Sequence, residues 1–246
     1  MNLVLVWYWR MWQIIHKQAE NRWHSIIDIL DPSKWTINNI ENLKKIKFDV
    51  LIDFSVPSVA MQNIKFYAQN NIKAVVWTTG WYDNIEEVEK LFSETSWAIL
   101  WASNFSIWVN LFWEILKKAS QIMDRVEDYD VFWHEFHHKA KIDSPSWTAI
   151  STASCVINNM TRKNKLVTER LDRAPLEDEL HFSSTRWWSV PGTHSVYFDS
   201  PFDTIEIKHT ARSRNWFALW SVLAAEWLND KTWYFEVKDW VSDLIK

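Results

Sequence analysis

The first twelve residues constrain the fold more than any other stretch. Asn2 to Val6 (NLVLV) is a short apolar run that breaks at Trp7-Tyr8-Trp9-Arg10-Met11-Trp12. Beyond the break, Met11, Ile14, Ile15 and Ala19 recur on one helical face. A strand that turns sharply into a helix needs positive φ, or a backbone approach that a Cβ forbids, and glycine supplies both. Yet the chain has 2 Gly and 20 Trp in 246 residues, where about 17 glycines are ordinary for this length. Together the two counts make a normal glycine complement. Reading Gly at Trp7, Trp9 and Trp12 gives VLVGYGRMGQ, a strand, a turn and a helix. The first Gly makes the turn, the second admits a pyrophosphate, and the third lets helix pack on strand. The helix N-terminus then offers unpaired N–H groups to phosphate. Asp31 ends the second strand about 20 residues on, where an acid accepts from the ribose hydroxyls of a dinucleotide. UGA is read as Trp in some genetic codes and as Gly in others, so one mistranslated codon accounts for the pattern. The rival is a truly Trp-rich aromatic binder, which predicts Trp in exposed rows or in the core rather than at turns.

The rest of the chain extends this pattern. Ser25 to Leu30, Asp49 to Phe54, Ala74 to Val76 and Ala98 to Leu100 read as strands. Ser55 and Pro57 close the third strand, a helix then runs to about Asn70, and another spans Glu86 to Phe92. Strands alternating with helices predict βαβ units and a parallel sheet. Beyond residue 105 the logic changes. Val109 to Met123 is a long amphipathic helix, Tyr129 to Phe132 a strand, and Glu135 to Trp147 a loop. Thr148 to about Met160 is a helix, and Val196 to Phe198 and Thr204 to His209 are strands without intervening helices. The expected fold class is α/β: a Rossmann-type parallel-sheet N-terminal domain, residues 1–105 completed by 214–246, plus an α+β substrate and oligomerisation domain, residues 106–213. The net charge of -4 gives no reason to expect nucleic acid or an anionic membrane as partner. One cysteine, Cys155, excludes an internal disulfide. No apolar run approaches the roughly 20 residues of a membrane span, and MNLVLVW lacks the marks of a signal peptide. A cytoplasmic chain is expected.

A second chemical stretch runs from His134 to Thr148 (HEFHHKAKIDSPSWT). His134-Glu135-x-x-His138 spells the zinc-peptidase motif, which requires both histidines on one helix face. The stretch follows strand-like YDVF and precedes Asp143-Ser144-Pro145, leaving barely one turn, so no metal is expected. A polar loop with surface histidines is the bland reading. His137, His138, Lys139 and Lys141 crowd within five residues, directly before a small-residue turn that opens a helix. Cations beside a helix N-terminus suit a small dianion, and a histidine titrating near neutrality can deliver a proton there.

With those residues in place, the chain resembles the dihydrodipicolinate reductase family over nearly its whole length. The family's E-x-H-H-x-x-K-x-D-[AS]-P-S-G-T-A loop stands as Glu135 to Ala149, with Trp147 in the Gly place. Its G-T-T-G turn stands as Trp77-Thr78-Thr79-Gly80, and its A-N-F-S segment as Ser103 to Ser106, followed by Ile107-Trp108-Val109-Asn110. The R-x-G-x-x-x-G-x-H stretch stands as Arg186 to His194, and Ile205 to Trp220 resembles the entry to the last helix. Trp therefore fills glycine slots at 7, 9, 12, 77, 108, 147, 187 or 188, 216 and 220. Trp81 and Trp227 fall where an aromatic suits the family, and Trp35, Trp101 and Trp240 have no assignment.

The resemblance implies hydride transfer from NADH or NADPH to 4-hydroxy-tetrahydrodipicolinate, giving tetrahydrodipicolinate on the diaminopimelate route to lysine. It implies cofactor contacts at Trp7, Tyr8, Trp9, Arg10, Met11, Trp12, Asp31, Trp77, Thr78, Thr79, Ala102, Ser103, Asn104 and Phe105. His137 and Lys141 would carry protons, while His138, Trp147, Thr148 and Arg214 would bind substrate carboxylates. A homotetramer is implied as well. Asp31 favours NADH, while Lys34 is placed to meet a 2′-phosphate. The rivals are another two-domain NAD(P)-dependent amino-acid dehydrogenase, the zinc peptidase and the Trp-rich binding module. An indole at 7 or 9 would fill the pyrophosphate's space, and one at 147 a carboxylate site, so the expected activity belongs to the glycine form.

Overall fold

The computed structural model describes residues 1–6, 12–30, 40–102, 106–212 and 215–245, without the side chains of Trp12, Asn215 and Trp216. The chain divides into two compact units, Met1–Ile107 with Asn215–Lys246, and Trp108–Arg214. The first unit opens with β1 (Asn2–Val6), α1 (Trp12–Asn21) and β2 (Ser25–Leu30). A 3-10 turn, Ile40–Lys45, leads to β3 (Val50–Asp53), α2 (Pro57–Gln69), β4 (Ala74–Val76), α3 (Ile85–Ser93) and β5 (Ala98–Trp101). β3, β4 and β5 are buried at every position. That explains their unbroken apolar runs, because a parallel sheet is covered on both faces. Pro57 starts α2 from its first turn, where its missing N–H has no partner to lose.

The second unit takes up most of α4 (Ile107–Met123), then β6 (Asp130–His137), α5 (Trp147–Ile157), β7 (Lys165–Val167), β8 (Glu179–Arg186), β9 (Thr193–Asp199) and β10 (Thr204–Thr210). Its sheet runs β10-β9-β6-β8-β7, parallel between β6, β8 and β7 and antiparallel between β6, β9 and β10. Burial alternates along β6, as a sheet with one covered face requires. Val131, Trp133, Glu135 and His137 point inward, while Phe132 and Phe136 are exposed. The apolar part of the inner face packs Trp133, Phe182 and Phe198 against Leu116 of α4 and Ala153 and Val156 of α5. The strand expected to end near Phe132 therefore continues through His137. A buried Glu and His on its inner face hide the alternation that would have revealed it.

The chain then returns to the first unit through α6 (Asn215–Asn229), β11 (Trp233–Glu236) and α7 (Val237–Leu244). The first sheet is completed as β11-β5-β4-β3-β1-β2, parallel throughout. Strand order reverses between β1 and β3, which makes the crevice at their carboxyl ends the place where such sheets bind ligands. Among the described residues no helix is long and apolar enough to cross a membrane.

Candidate active site

The inner face of the second sheet changes character at the carboxyl end of β6. Register sets Glu135 beside Ser184 on β8 and His194 on β9, and His137 beside Arg186. Glu135 is fully buried, a costly place for a carboxylate unless its oxygens are bonded. Its Oε1 accepts from Ser146 N–H (3.2 Å), Ser184 Oγ (3.0 Å) and Arg186 Nη2 (3.0 Å), and its Oε2 accepts from Ser146 Oγ (2.5 Å). Burial pushes the carboxyl up, but the His137 imidazole, Ser146 and Arg186 outweigh it and hold it well below the usual carboxylate range. His137 Nδ1 lies 3.3 Å from Oε2, an ion-pair distance without the alignment of a hydrogen bond. His194 Nδ1 is 3.9 Å from the same oxygen. Burial, against the pull of Glu135, pushes the His194 imidazole down to about 3.

The loop after β6 brings the expected substrate residues to this place. Trp187 N–H donates to His137 O (2.8 Å) and Lys139 N–H to Trp188 O (3.2 Å), which zips the strand end to the segment after β8. Lys141 Nζ pairs with both oxygens of Asp143 (2.7 and 2.9 Å), and Arg186 Nη2 donates to the Asp143 carbonyl (2.6 Å). The hydrogen bond from Lys141 holds the Asp143 carboxyl below its ordinary value. Ser146 is the N-cap of α5, accepting from Ala149 N–H (3.1 Å), a favoured use of serine. Trp147 occupies the first helical turn and is exposed, and Thr148 and His138 are half-buried. His134 lies on β6 and bonds Ser183 Oγ (2.5 Å). A strand cannot give His134 and His138 a shared helix face, so the zinc-peptidase reading fails.

Glu135, His137 and His194 do present three potential ligand atoms within 4.8 Å of one another. The Arg186 guanidinium already bonds the carboxylate, so a divalent cation there would sit beside a fixed positive charge. The donor set favours a proton over a metal. Glu135, Arg186 and His194 were not singled out from sequence. Their signal lay in the motif Arg186 to His194 and in the acid before the paired histidines, but only register joins them. Gly192 completes the site: a Cβ there would stand 3.0 Å from His137 Nε2.

In the first unit, Asp53 ends β3 at the reversal of strand order, fully buried. It accepts from Ser55 N–H (2.6 Å), Tyr67 Oη (2.6 Å), Asn63 Nδ2 (3.2 Å) and Thr78 Oγ1 (3.3 Å). The carboxylate at the switch point is thereby turned inward and bonded on both oxygens. Thr78 is buried and its carbonyl accepts from Trp81 Nε1 (2.8 Å). Thr79 is exposed and Trp77 half-buried, stacked on Phe54 with centroids 4.9 Å apart. Gly80 has φ +83°, and a Cβ there would meet Pro57 Cβ at 3.0 Å. Ala102 is buried after β5. Trp7 to Met11, Asp31, Ser103 to Phe105 and Arg214 lie outside the described residues, and of Trp12 only the backbone is described.

A six-stranded parallel sheet with this reversal, carried in one chain with a mixed-sheet unit, defines a Rossmann-type two-domain oxidoreductase. The family models for the N-terminus and C-terminus of dihydrodipicolinate reductase match residues 15–105 and 108–241. A 4-hydroxy-tetrahydrodipicolinate reductase from Christiangramia forsetii is 43% identical over 248 residues, covering all of both chains. The chain belongs to the dihydrodipicolinate reductase family. Solved structures agree on the fold. A dipicolinate-bound dihydrodipicolinate reductase from Paenisporosarcina sp. TG-14 matches with TM-score 0.78 at 19% identity, over 96% of this chain and 97% of that one. A probable dehydrogenase from Thermotoga maritima matches with TM-score 0.56 at 7% identity, over 91% and 85%.

Proposed function

We propose that this protein reduces 4-hydroxy-tetrahydrodipicolinate to tetrahydrodipicolinate, with loss of water, using NADH or NADPH. The observation that carries the reading is the join at Glu135, which fixes His137 on β6 and the N-terminus of α5 to one carboxylate. Lys141, after leaving Asp143, protonates the departing hydroxyl so that it leaves as water, while His137 takes the ring proton lost in that elimination and returns it to the ring as the hydride adds. His138, Thr148 and the N–H groups at the start of α5 hold the two carboxylates, with Arg214 as a further cation. The cofactor, when bound, supplies the hydride. Residues 7–12 and Asp31 hold it at the switch point, with Trp77 to Thr79 and Ala102 to Phe105 along its path. This assigns dinucleotide binding to residues 1–105 with 214–246, and substrate binding to residues 106–213. Four copies would bury the outer face of the second sheet, where Phe132 stacks on Tyr197 at 4.7 Å and Phe136 is exposed. Cytoplasmic residence fits this biosynthetic role. The test follows NAD(P)H oxidation with the dihydrodipicolinate precursor. Substrate-dependent turnover is expected, and its absence in a folded glycine-form protein would overturn the reading.

We further propose that Trp stands at glycine positions of the working enzyme. Four non-glycine residues among those described have positive φ, and three are Trp: Trp23 (63°), Trp188 (37°) and Trp233 (109°). A bulky side chain in that region is a genuine outlier, while glycine adopts it freely. Of the pair 187 and 188, Trp188 carries the positive φ, and Trp23 and Trp233 join the earlier set. Trp81, Trp101 and Trp240 are buried instead, the normal place for a real indole. Exposed Trp108, Trp147, Trp187 and Trp188 lie at helix starts and a turn, contrary to the rows of an aromatic binder. Peptide mass spectrometry of protein from its native host should show Gly at 23, 147, 188 and 233. Trp at those positions would overturn the proposal.

A further inference from the structure

Two buried imidazole nitrogens, His137 Nδ1 and His194 Nδ1, lie 3.3 and 3.9 Å from Glu135 Oε2, and among the described residues neither has another polar partner. The carboxylate itself is divided. Oε1 is taken by Arg186, Ser184 and the Ser146 N–H, while Oε2 has Ser146 Oγ and the open side toward His137. A neutral imidazole carries one N–H, and a neighbouring anion decides which nitrogen holds it. His137 Nε2 makes no hydrogen bond among the described residues and lies over Gly192, where a Cβ would approach to 3.0 Å.

We propose that Glu135 is a positioning residue: its buried carboxylate holds His137 in the Nδ1–H tautomer, so that Nε2 alone exchanges the proton with substrate. The inference rests on the reading of His137 as the proton carrier. Among the described residues, the charged and titratable groups beside His137 are Glu135 on β6, Arg186 on β8 and His194 on β9; His209 on β10 and Lys141 in the loop lie near enough to act on His194, and Asp143 is paired with Lys141. His194 stays neutral in its buried place, so it adds no charge that would compete for the carboxylate. Its ring meets His137 edge-on, with centroids 5.3 Å apart, and packs against one side of the imidazole. The same anion holds Ser146, so the proton carrier and the carboxylate-binding turn are set by one group. When His137 takes a second proton on Nε2, the resulting imidazolium faces an anion already in place, with no reorganisation required.

The test is long-range 1H–15N correlation of histidine rings in the full-length chain, with His137 assigned by its loss in His137→Asn. The wild-type ring should show a protonated Nδ1 and an unprotonated Nε2 when neutral. In Glu135→Gln the carboxamide can donate to Nδ1, and the ring should become mixed or reversed. Glu135→Asp should keep the wild-type tautomer. In the glycine form, Glu135→Gln should lower kcat on the order of 10²-fold or more, as loss of a tautomer-fixing carboxylate does elsewhere, with KM changed less than about threefold. An Nε2–H tautomer in the wild type, which needs no variant to fold, would overturn the proposal. So would an unchanged tautomer in a folded Glu135→Gln protein, or a one-to-one zinc complex engaging His137 and His194 together. A wrong substrate assignment would leave the tautomer result intact, which separates the two failures.

Discussion

The two sheets of this molecule use buried polar residues in opposite ways. In the first, β3, β4 and β5 are sealed on both faces, and the only charged residue among them, Asp53, closes β3 and ties down the turns that follow. On the proposed reading, the chemistry of that unit belongs to the loops at the strand ends. In the second, one face is covered, and its inner side passes from Trp133 and Phe182 to Glu135, His137 and His194 within a few residues. On the same reading its chemistry belongs to the sheet itself, where strand register brings Glu135, Arg186 and His194 together.

The sharpest break of this comparison is His137→Ala. It should cost about 10²- to 10⁴-fold in kcat with a smaller loss of stability than Asp53→Ala, because His137 sits at a strand end and its Nε2 makes no hydrogen bond among the described residues. Asp53→Ala should do the reverse. It leaves several buried donors unpaired and should lower stability by about 3 kcal/mol, read by chemical denaturation, with weakened dinucleotide binding. An intact fold and full affinity would show that the first sheet's turns do not depend on it. Gly192→Ala should reduce kcat roughly tenfold or more without unfolding the chain, since the new Cβ must push His137 Nε2 aside.

Acid sharpens the contrast further. The His194 imidazole is held down to about 3, so the unfolded chain takes up a proton there first as pH falls below the ordinary histidine value of 6.5. Its neutral burial therefore favours the fold above that value and loses ground toward about pH 3. Glu135, held low, acts with the same sign but later, as pH falls through the ordinary carboxylate range. The second unit should lose hydrogen-exchange protection before the first as pH drops from 7 to 4, and His194→Gln should flatten the early part. The smallest effect belongs to Trp23→Gly and Trp233→Gly, each expected to raise stability by about 1 kcal/mol. A loss there would argue that the indoles belong.

The centre of the first sheet is legible because its strands are continuous apolar runs between turn signals. Ala74 to Val76 and Ala98 to Leu100 stand out on that pattern alone, while Ser25 to Leu30 carries Asp28 and is only half-buried. β8 was missed because only Leu180 and Phe182 are fully buried apolar side chains on it before the serines begin. The end of β6 was read as loop because Glu135 and His137 occupy inward positions where apolar residues are expected. The histidine loop is legible as a motif, and the roles proposed for it come from the family resemblance. What no spacing could give was the meeting of Glu135, Arg186 and His194, which are separated in sequence and joined by strand register.

The order of strands in the first sheet has a consequence for how this chain is made. β11 pairs with β5, but a ribosome emits it only after the entire second unit. Until then β5 is an open edge, with unpaired backbone groups beside a run of apolar side chains, the kind of surface that invites pairing with another chain. The nascent protein must complete an inserted unit while its first sheet waits for the last strand. Premature release anywhere before Trp233 would leave that edge bare, and the tail of the sequence acts as the seal on its beginning.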